Sequence, residues 1–157
     1  MMMTSRKLIV EGCSIYTDRL YRVETHRYLF QWVKREKDSI YSIGMMSILA
    51  AISYPIYSIR TKSIGTVISR DDNLAVIEAG KRVATFPSPI SGEIVEINKT
   101  LEKKPELLNK KPYNSWIVRI KASNLEELEN LKKAEEIIEK IRTFILIEDV
   151  DCSIVEE

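Results

Sequence analysis

A mainly β chain with helical additions, an α+β fold, is what this sequence predicts, and three observations carry that expectation. Short runs rich in Ile, Val, Tyr and Phe recur along most of the chain, several alternating apolar with polar residues. Clusters of Gly, Pro, Asn, Asp and Ser separate them, as turns do. Near the C-terminus the apolar spacing changes to a helical period, with Glu and Lys between the apolar positions.

In chain order, Leu8-Ile9-Val10 and Tyr28-Leu29-Phe30-Gln31-Trp32-Val33 read as strands. Arg35 to Ser39 reads as a polar turn leading into the strand Ile40 to Ile43, and Gly44 marks a break. Met45 to Ile52 is compact and apolar and predicts a short buried helix, ended by Pro55 because the residue before a proline avoids the α region. Ile56 to Thr61 and Gly65 to Ser69 return to strand, and Arg70 to Asn73 is a turn. Leu74 to Glu78 and Arg82 to Phe86 form the arms of a hairpin with Ala79-Gly80-Lys81 at its bend, where Gly80 supplies the positive φ that a tight turn needs. Pro87-Ser88-Pro89 keeps the chain extended, Ser91-Gly92 turns it, and Glu93 to Ile97 alternates as a strand. Ser123 and Glu126 fit a capping box opening an amphipathic helix with Leu125, Leu128, Leu131, Ile138 and Ile141 on one face. Phe144 to Ile147 reads as a closing strand. The expectation is one domain over residues 1–157, with residues 123–142 as its C-terminal helix.

At 157 residues such a domain buries a core without metal or cross-links. Apolar residues make up 45% and charged residues 30%, which argues against disorder, and a net charge of +1 gives nucleic acid no bulk attraction. The opening Met1 to Lys7 lacks the apolar core of a signal peptide. Ile43 to Ile59, the most apolar stretch, is short for a membrane span and interrupted by Ser47, Ser53, Pro55 and Ser58. A cytoplasmic location with no membrane insertion is the expectation.

Few residues suggest chemistry by themselves. Two cysteines and the single His26 cannot fill a familiar structural zinc site, so no metal is expected. Cys13 and Cys152 stand near opposite ends, either as separate thiols or as a disulfide joining them. His26 has no nucleophile or orienting carboxylate supplied by a motif, and reads as structural. Trp32 and Trp116 read as core anchors. Lys81 is singled out by placement, beside a glycine at the tip of a rigid hairpin where another enzyme can reach it. A lysine in a turn is usually only solvated, so placement alone does not assign it a role.

The wider pattern does. Glu78, Lys81 and Pro89-Ile90-Ser91-Gly92-Glu93 keep the spacing of the lipoyl-attachment segment of glycine-cleavage H proteins, and the chain resembles that family from about Gly12 to about Ile141. Pro105 to Asn109, Pro112-Tyr113, Trp116 and Ser123-Asn124 with Glu127-Leu128 resemble its later segments, and Glu24-Thr25-His26-Arg27-Tyr28 more loosely resembles an earlier one. Within the family, Glu78-Ala79-Gly80-Lys81-Arg82-Val83 followed by Pro87-Ser88-Pro89 is closer to the lipoate-binding proteins of heterodisulfide-reductase-like sulfur-oxidising systems. Those proteins are also similar in a Gly-Cys-x-Ile opening, here Gly12-Cys13-Ser14-Ile15, and in a late cysteine, here Cys152.

The resemblance implies a lipoyl/biotinyl-type barrel-sandwich hybrid with a short internal helix and a C-terminal helix. It implies lipoate as cofactor, held as N6-lipoyllysine on Lys81 with Glu78 and Gly80 beside it, on a carrier that is not itself an enzyme. Glu78 then either steers the ligase or merely ends a strand. Cys13 and Cys152 become candidate redox residues next to a dithiol cofactor, although an inert role is preferred for Cys13. The implied partners are a lipoate-protein ligase or lipoyl transferase together with a heterodisulfide-reductase-like complex and sulfurtransferases. The alternative set is glycine decarboxylase, aminomethyltransferase and dihydrolipoamide dehydrogenase, with an aminomethyl group as cargo. A biotin carrier is a further reading, weakened because Gly80 and Arg82 stand where Met flanks a biotinyl lysine. An unmodified domain of the same fold is the last.

Overall fold

The structure, a computed structural model, describes residues 4–157; Met1–Met3, which open the segment read as lacking a signal peptide, lie outside the described residues. The chain begins with a two-stranded antiparallel unit, β1 (Lys7–Val10) and β2 (Cys13–Tyr16), joined by a turn with positive φ at Glu11 and Gly12. β3 (Leu20–Glu24), β4 (Leu29–Lys37) and β5 (Ile40–Met45) follow as an antiparallel meander, and α1 (Ser47–Ile52) is the short buried helix. β6 (Ile56–Thr61), β7 (Val67–Ile68), β8 (Asn73–Ala79), β9 (Arg82–Pro87) and β10 (Gly92–Ile97) come next. Two single-turn helices, α2 (Thr100–Lys103) and α3 (Leu107–Lys110), lead to β11 (Val118–Ala122). A 3₁₀ segment (Leu125–Asn130), β12 (Lys132–Lys133) and α4 (Ala134–Glu148) complete the fold.

Apolar alternation decides how these strands stack. A seven-stranded sheet in the order β12-β3-β4-β5-β11-β10-β7 faces a three-stranded sheet in the order β6-β8-β9. Between them lies one core, which takes Val33, Ile43, Met45, Ile94 and Ile120 from the large sheet and Ile56, Ile59, Leu74, Ile77 and Phe86 from the small one. A second core lies on the other face of β3 and β4, where Tyr21, Val23, Phe30 and Trp32 pack with Ile137, Ile141 and Phe144 of α4, with Ile48 of α1, and with Cys13 and Cys152. Every residue from Leu29 to Val33 is therefore buried, because β4 serves both cores. No helix among the described residues is long and apolar enough to cross a membrane.

Four expectations are corrected. The C-terminal helix does not span residues 123–142: it starts at Ala134 and runs to Glu148. The Ser123/Glu126 pattern caps no α-helix, since Asn124 instead accepts from the Glu126 N–H and opens a 3₁₀ segment. Glu127 is held by Ser91, and Lys132–Lys133 pairs with β3, so the backbone is committed elsewhere until Ala134. The first turn of α4 is closed by Glu136, whose Oε1 accepts from the Lys133 N–H at 2.8 Å. Phe144 to Ile147 is not a strand but the last part of α4, with Phe144 and Ile145 buried. Gly44 is not a break: it lies inside β5 opposite Trp32, and a Cβ there would come within 2.4 Å of the indole. Glycine is used at that position for close approach rather than for a turn.

Candidate functional site

The β8–β9 hairpin is built as its sequence predicts. Ala79 pairs with Arg82, leaving Gly80 and Lys81 as a two-residue loop. Gly80 takes φ 57°, and its N–H donates to the Pro55 carbonyl at 3.0 Å. That bond ties the tip to the link between α1 and β6. Asn109 fixes the same link from below: its Oδ1 accepts from the Ile56 N–H at 2.8 Å, and its amide nitrogen donates to the Ala50 and Ser53 carbonyls at 2.8 and 3.3 Å. Asn109 is buried, so these bonds replace the water that the end of α1 would otherwise need. Lys81 projects from this braced tip and is exposed.

Behind the tip lies a cavity of about 450 Å³. Met45 and Leu49 form part of its apolar wall, with Ile77 and Phe86 from the small sheet, and Gly80, Lys81 and Arg82 at its mouth. Gln31 also lines it; its amide donates to the Pro87 carbonyl at 2.7 Å, while Oε1 has no partner among the described residues. Arg27 reaches the mouth from the loop before β4, bonded to Glu24 at 3.1 Å and to Asp71 at 3.4 Å. The buried Arg22 binds the same two carboxylates at 2.7 and 2.8 Å. Burial alone would raise Glu24 and Asp71, but the hydrogen bonds and charge of Arg22, joined by Arg27, hold both below the usual carboxylate range.

The sequence-predicted residues are only partly brought together. Lys81 and Gly80 share the cavity mouth. Glu78 points to the opposite face of the small sheet, by strand alternation, where it accepts from Tyr57 at 3.4 Å and lies 3.6 Å from Arg60. Cys13 and Cys152 belong to the second core and form a disulfide across 139 residues, with sulfurs enclosed and no free cysteine among the described residues. Neither presents the accessible thiolate that exchange with a dithiol requires. His26 is exposed on the 3₁₀ turn Thr25–Arg27, outside the cavity wall. No cluster of metal-binding side chains occurs among the described residues. Asn109, Gln31 and the Pro55 carbonyl went unassigned at the sequence level; only a tertiary contact gives Asn109 its task, although it closes the conspicuous run Pro105 to Asn109.

An exposed lysine on a hairpin whose tip is tied to the α1–β6 link, with an apolar cavity beside it, suits a side chain that carries a long acyl group. The comparisons agree with that geometry. The family model described as "Glycine cleavage H-protein" matches residues 20–144. Glycine cleavage system H protein 1 of Aquifex aeolicus is 62% identical over 143 residues, covering 91% of this chain and 100% of that protein. Glycine cleavage system H protein 5 of the same organism is 37% identical, covering 84% of this chain and 92% of its own length. The crystal structure of a glycine cleavage system H protein from Mycobacterium marinum superposes with a TM-score of 0.68 at 21% identity, covering 81% of this chain and 98% of the other, and supports the barrel-sandwich fold. Glycine cleavage H proteins carry lipoate covalently on a lysine. Hairpin, cavity and sequence match together place this chain in the glycine cleavage H-protein family.

Proposed function

We propose that this protein is a lipoyl carrier whose lipoate is joined to Lys81, and that it moves an aminomethyl group from glycine decarboxylase to the aminomethyltransferase. The observation that carries the reading is the position of Lys81: the tip residue of a two-residue hairpin loop at the mouth of a 450 Å³ cavity. When bound, the cofactor supplies a dithiol/disulfide pair on a long flexible arm. The chain supplies position. The Gly80–Pro55 bond and the Asn109 contacts hold the tip still, so that a lipoate ligase or lipoyl transferase meets one fixed lysine. Acylation would turn the Lys81 ammonium into a neutral amide, and Leu49, Ile77 and Phe86 would then offer the bound group an apolar wall that no charge at the attachment point opposes. Dihydrolipoamide dehydrogenase would restore the disulfide form. The protein is then a shuttle substrate rather than an enzyme. The names of the two Aquifex aeolicus relatives support the glycine-cleavage assignment over the sulfur one.

A second reading keeps the carrier and changes the pathway to heterodisulfide-reductase-like sulfur oxidation, with sulfurtransferases as donors. It is favoured by the Glu78-to-Val83 and Pro87-to-Pro89 sequences, which resemble those of the lipoate-binding proteins of such systems. Intact and peptide mass of the protein from its own cells, prepared without reductant, tests both. A lipoyl mass on Lys81 with an aminomethyl adduct supports the first reading, and extra sulfur supports the second. An unmodified Lys81 overturns the carrier assignment.

A further inference from the structure

The chain carries a net charge of only +1, yet its charges are segregated. Residues 99–111, the segment that holds α2 and α3, contain five lysines against two glutamates, Glu102 and Glu106. Residues 123–139 contain six glutamates against two lysines, and that acidic segment is held to Ser91 and to β3. The basic segment lies beside the Lys81 hairpin. α2 packs on β6, the outermost strand of the small sheet, and α3 packs on α1. Asn109 of α3 accepts from the Ile56 N–H, one residue past the Pro55 carbonyl that receives Gly80, and Lys110 follows directly. Lys103, Lys104 and Lys110 are exposed, and none has an ion-pair partner among the described residues. The same holds for Arg82 at the tip, while Arg60 of β6 has only Glu78, at 3.6 Å. On the same elements Tyr54, Tyr57 and Val83 are each more than half exposed.

Resting on the carrier reading, we propose that this face, from Arg82 and Tyr57 across to Lys103, Lys104 and Lys110, is where the acylating enzyme docks, through a surface of its own rich in Asp and Glu. Two features select that partner. The group it must receive arrives as an ammonium flanked by Arg82, and such cations leave water at least cost where carboxylates replace it. The attraction is also greatest for the unmodified chain, because acylation removes the Lys81 charge; the product is then held less tightly and leaves. Tyr54, Tyr57 and Val83 supply apolar contact, and the lysines supply a charged rim that steers the encounter. A polyanion such as nucleic acid or a layer of anionic headgroups fits this face less well. Glu78, Glu102 and Glu106 stand among its cations and would meet phosphates with like charge, whereas a protein surface can answer them with cations of its own.

The test measures initial rates of lipoylation of the full, unmodified chain by the lipoate–protein ligase or lipoyl transferase of its own cells, over a range of ionic strength. At low salt, kcat/KM is expected to fall about tenfold or more in the triple variant Lys103→Glu, Lys104→Glu, Lys110→Glu, with kcat nearly unchanged. The difference should shrink at about 0.5 M salt, where exposed charges are screened. A control triple variant, Lys37→Glu, Lys121→Glu, Lys132→Glu, makes the same change of net charge at exposed positions of the seven-stranded sheet. It is expected to stay within about twofold of the parent. Urea unfolding checks that each variant is folded, and the salt dependence of the parent needs no substitution. An equal loss in both variants, or a parent rate indifferent to salt, overturns the docking face and leaves the carrier reading standing. Retention of the parent on phosphatidylglycerol vesicles, lost in the first variant while its lipoylation is unchanged, overturns it in favour of a membrane surface. No acylation of Lys81 in the parent overturns the carrier reading and the docking face with it.

Discussion

Around Lys81 the chain leaves its chemistry-bearing side chain outside and keeps a void behind it, whereas around Cys13 and Cys152 it encloses its sulfurs and fills the space. The disulfide end is closed by bonds between segments far apart in sequence. Tyr113 donates to the Ser14 carbonyl, Ser47 Oγ donates to the same carbonyl at 2.7 Å, and Ser14 Oγ donates to the Glu157 carbonyl at 2.6 Å. The Tyr113 hydroxyl is pushed up to about 12 by its burial, so it stays protonated and able to donate throughout the physiological range. The lysine end has one backbone bond at its tip and an open wall. The difference teaches that the exposed lysine with its cavity and the enclosed disulfide lie against separate cores of one fold, so that on the proposed reading an arm on Lys81 would move without disturbing the disulfide end.

Several changes would break or sharpen that separation. The largest effect on function is expected from Lys81→Ala. Mass spectrometry should find acylation abolished, while the unfolding free energy stays within about 0.5 kcal/mol of the parent because the side chain is exposed; acylation persisting on another lysine would refute the placement. The largest effect on stability should come from replacing Cys13 and Cys152 together by Ser. Opening a cross-link that spans 139 residues is expected to cost about 4–5 kcal/mol in the chain-entropy account, read by urea unfolding, with Lys81 still accepted by the ligase while the protein is folded. Next comes Gly44→Ala, where the new methyl meets the Trp32 indole at 2.4 Å; overpacking there should lose about 2–3 kcal/mol.

Acid should act on the boundary between the two ends. Glu24 and Asp71 have folded values below their unfolded ones, so their contribution is fully present above the ordinary carboxylate pKa of about 4 and is lost as the pH falls through the depressed folded values. A midpoint that fell more steeply below pH 4 in the parent than in an Arg22→Met variant would bear this out, and equal slopes would count against it. The smallest change is expected from Gly80→Ala. A Cβ there meets open space, but φ 57° costs an L-residue about 1 kcal/mol, and the ligase should still modify Lys81.

Much of the hairpin end was legible because it is local. The two hairpin arms, the turn at Gly80-Lys81 and the strand after Ser91-Gly92 follow from alternation and turn chemistry within some twenty consecutive residues. The C-terminal helix was misplaced for the opposite reason. Ser123 and Glu126 satisfy a local capping rule, yet the conformation of this segment answers to Ser91, which holds Glu127, and to β3, which takes Lys132–Lys133. β11 escaped notice because Val118–Ala122 is a short run whose strand character depends on β5 and β10 lying on either side.

By itself, then, the sequence determined the β-rich class, the hairpin and the single lysine at its tip, since these rest on spacing and turn preference among neighbours. Only the tertiary structure decided that Glu78 turns away from that lysine, that Cys13 and Cys152 meet, that Asn109 braces the site from a distant helix, and that the cavity wall holds arginine but, among the described residues, no carboxylate. Each of these depends on which segments of different sequence position share a face. Such sharing is set by burying two cores at once across β4, a condition no local window of residues contains.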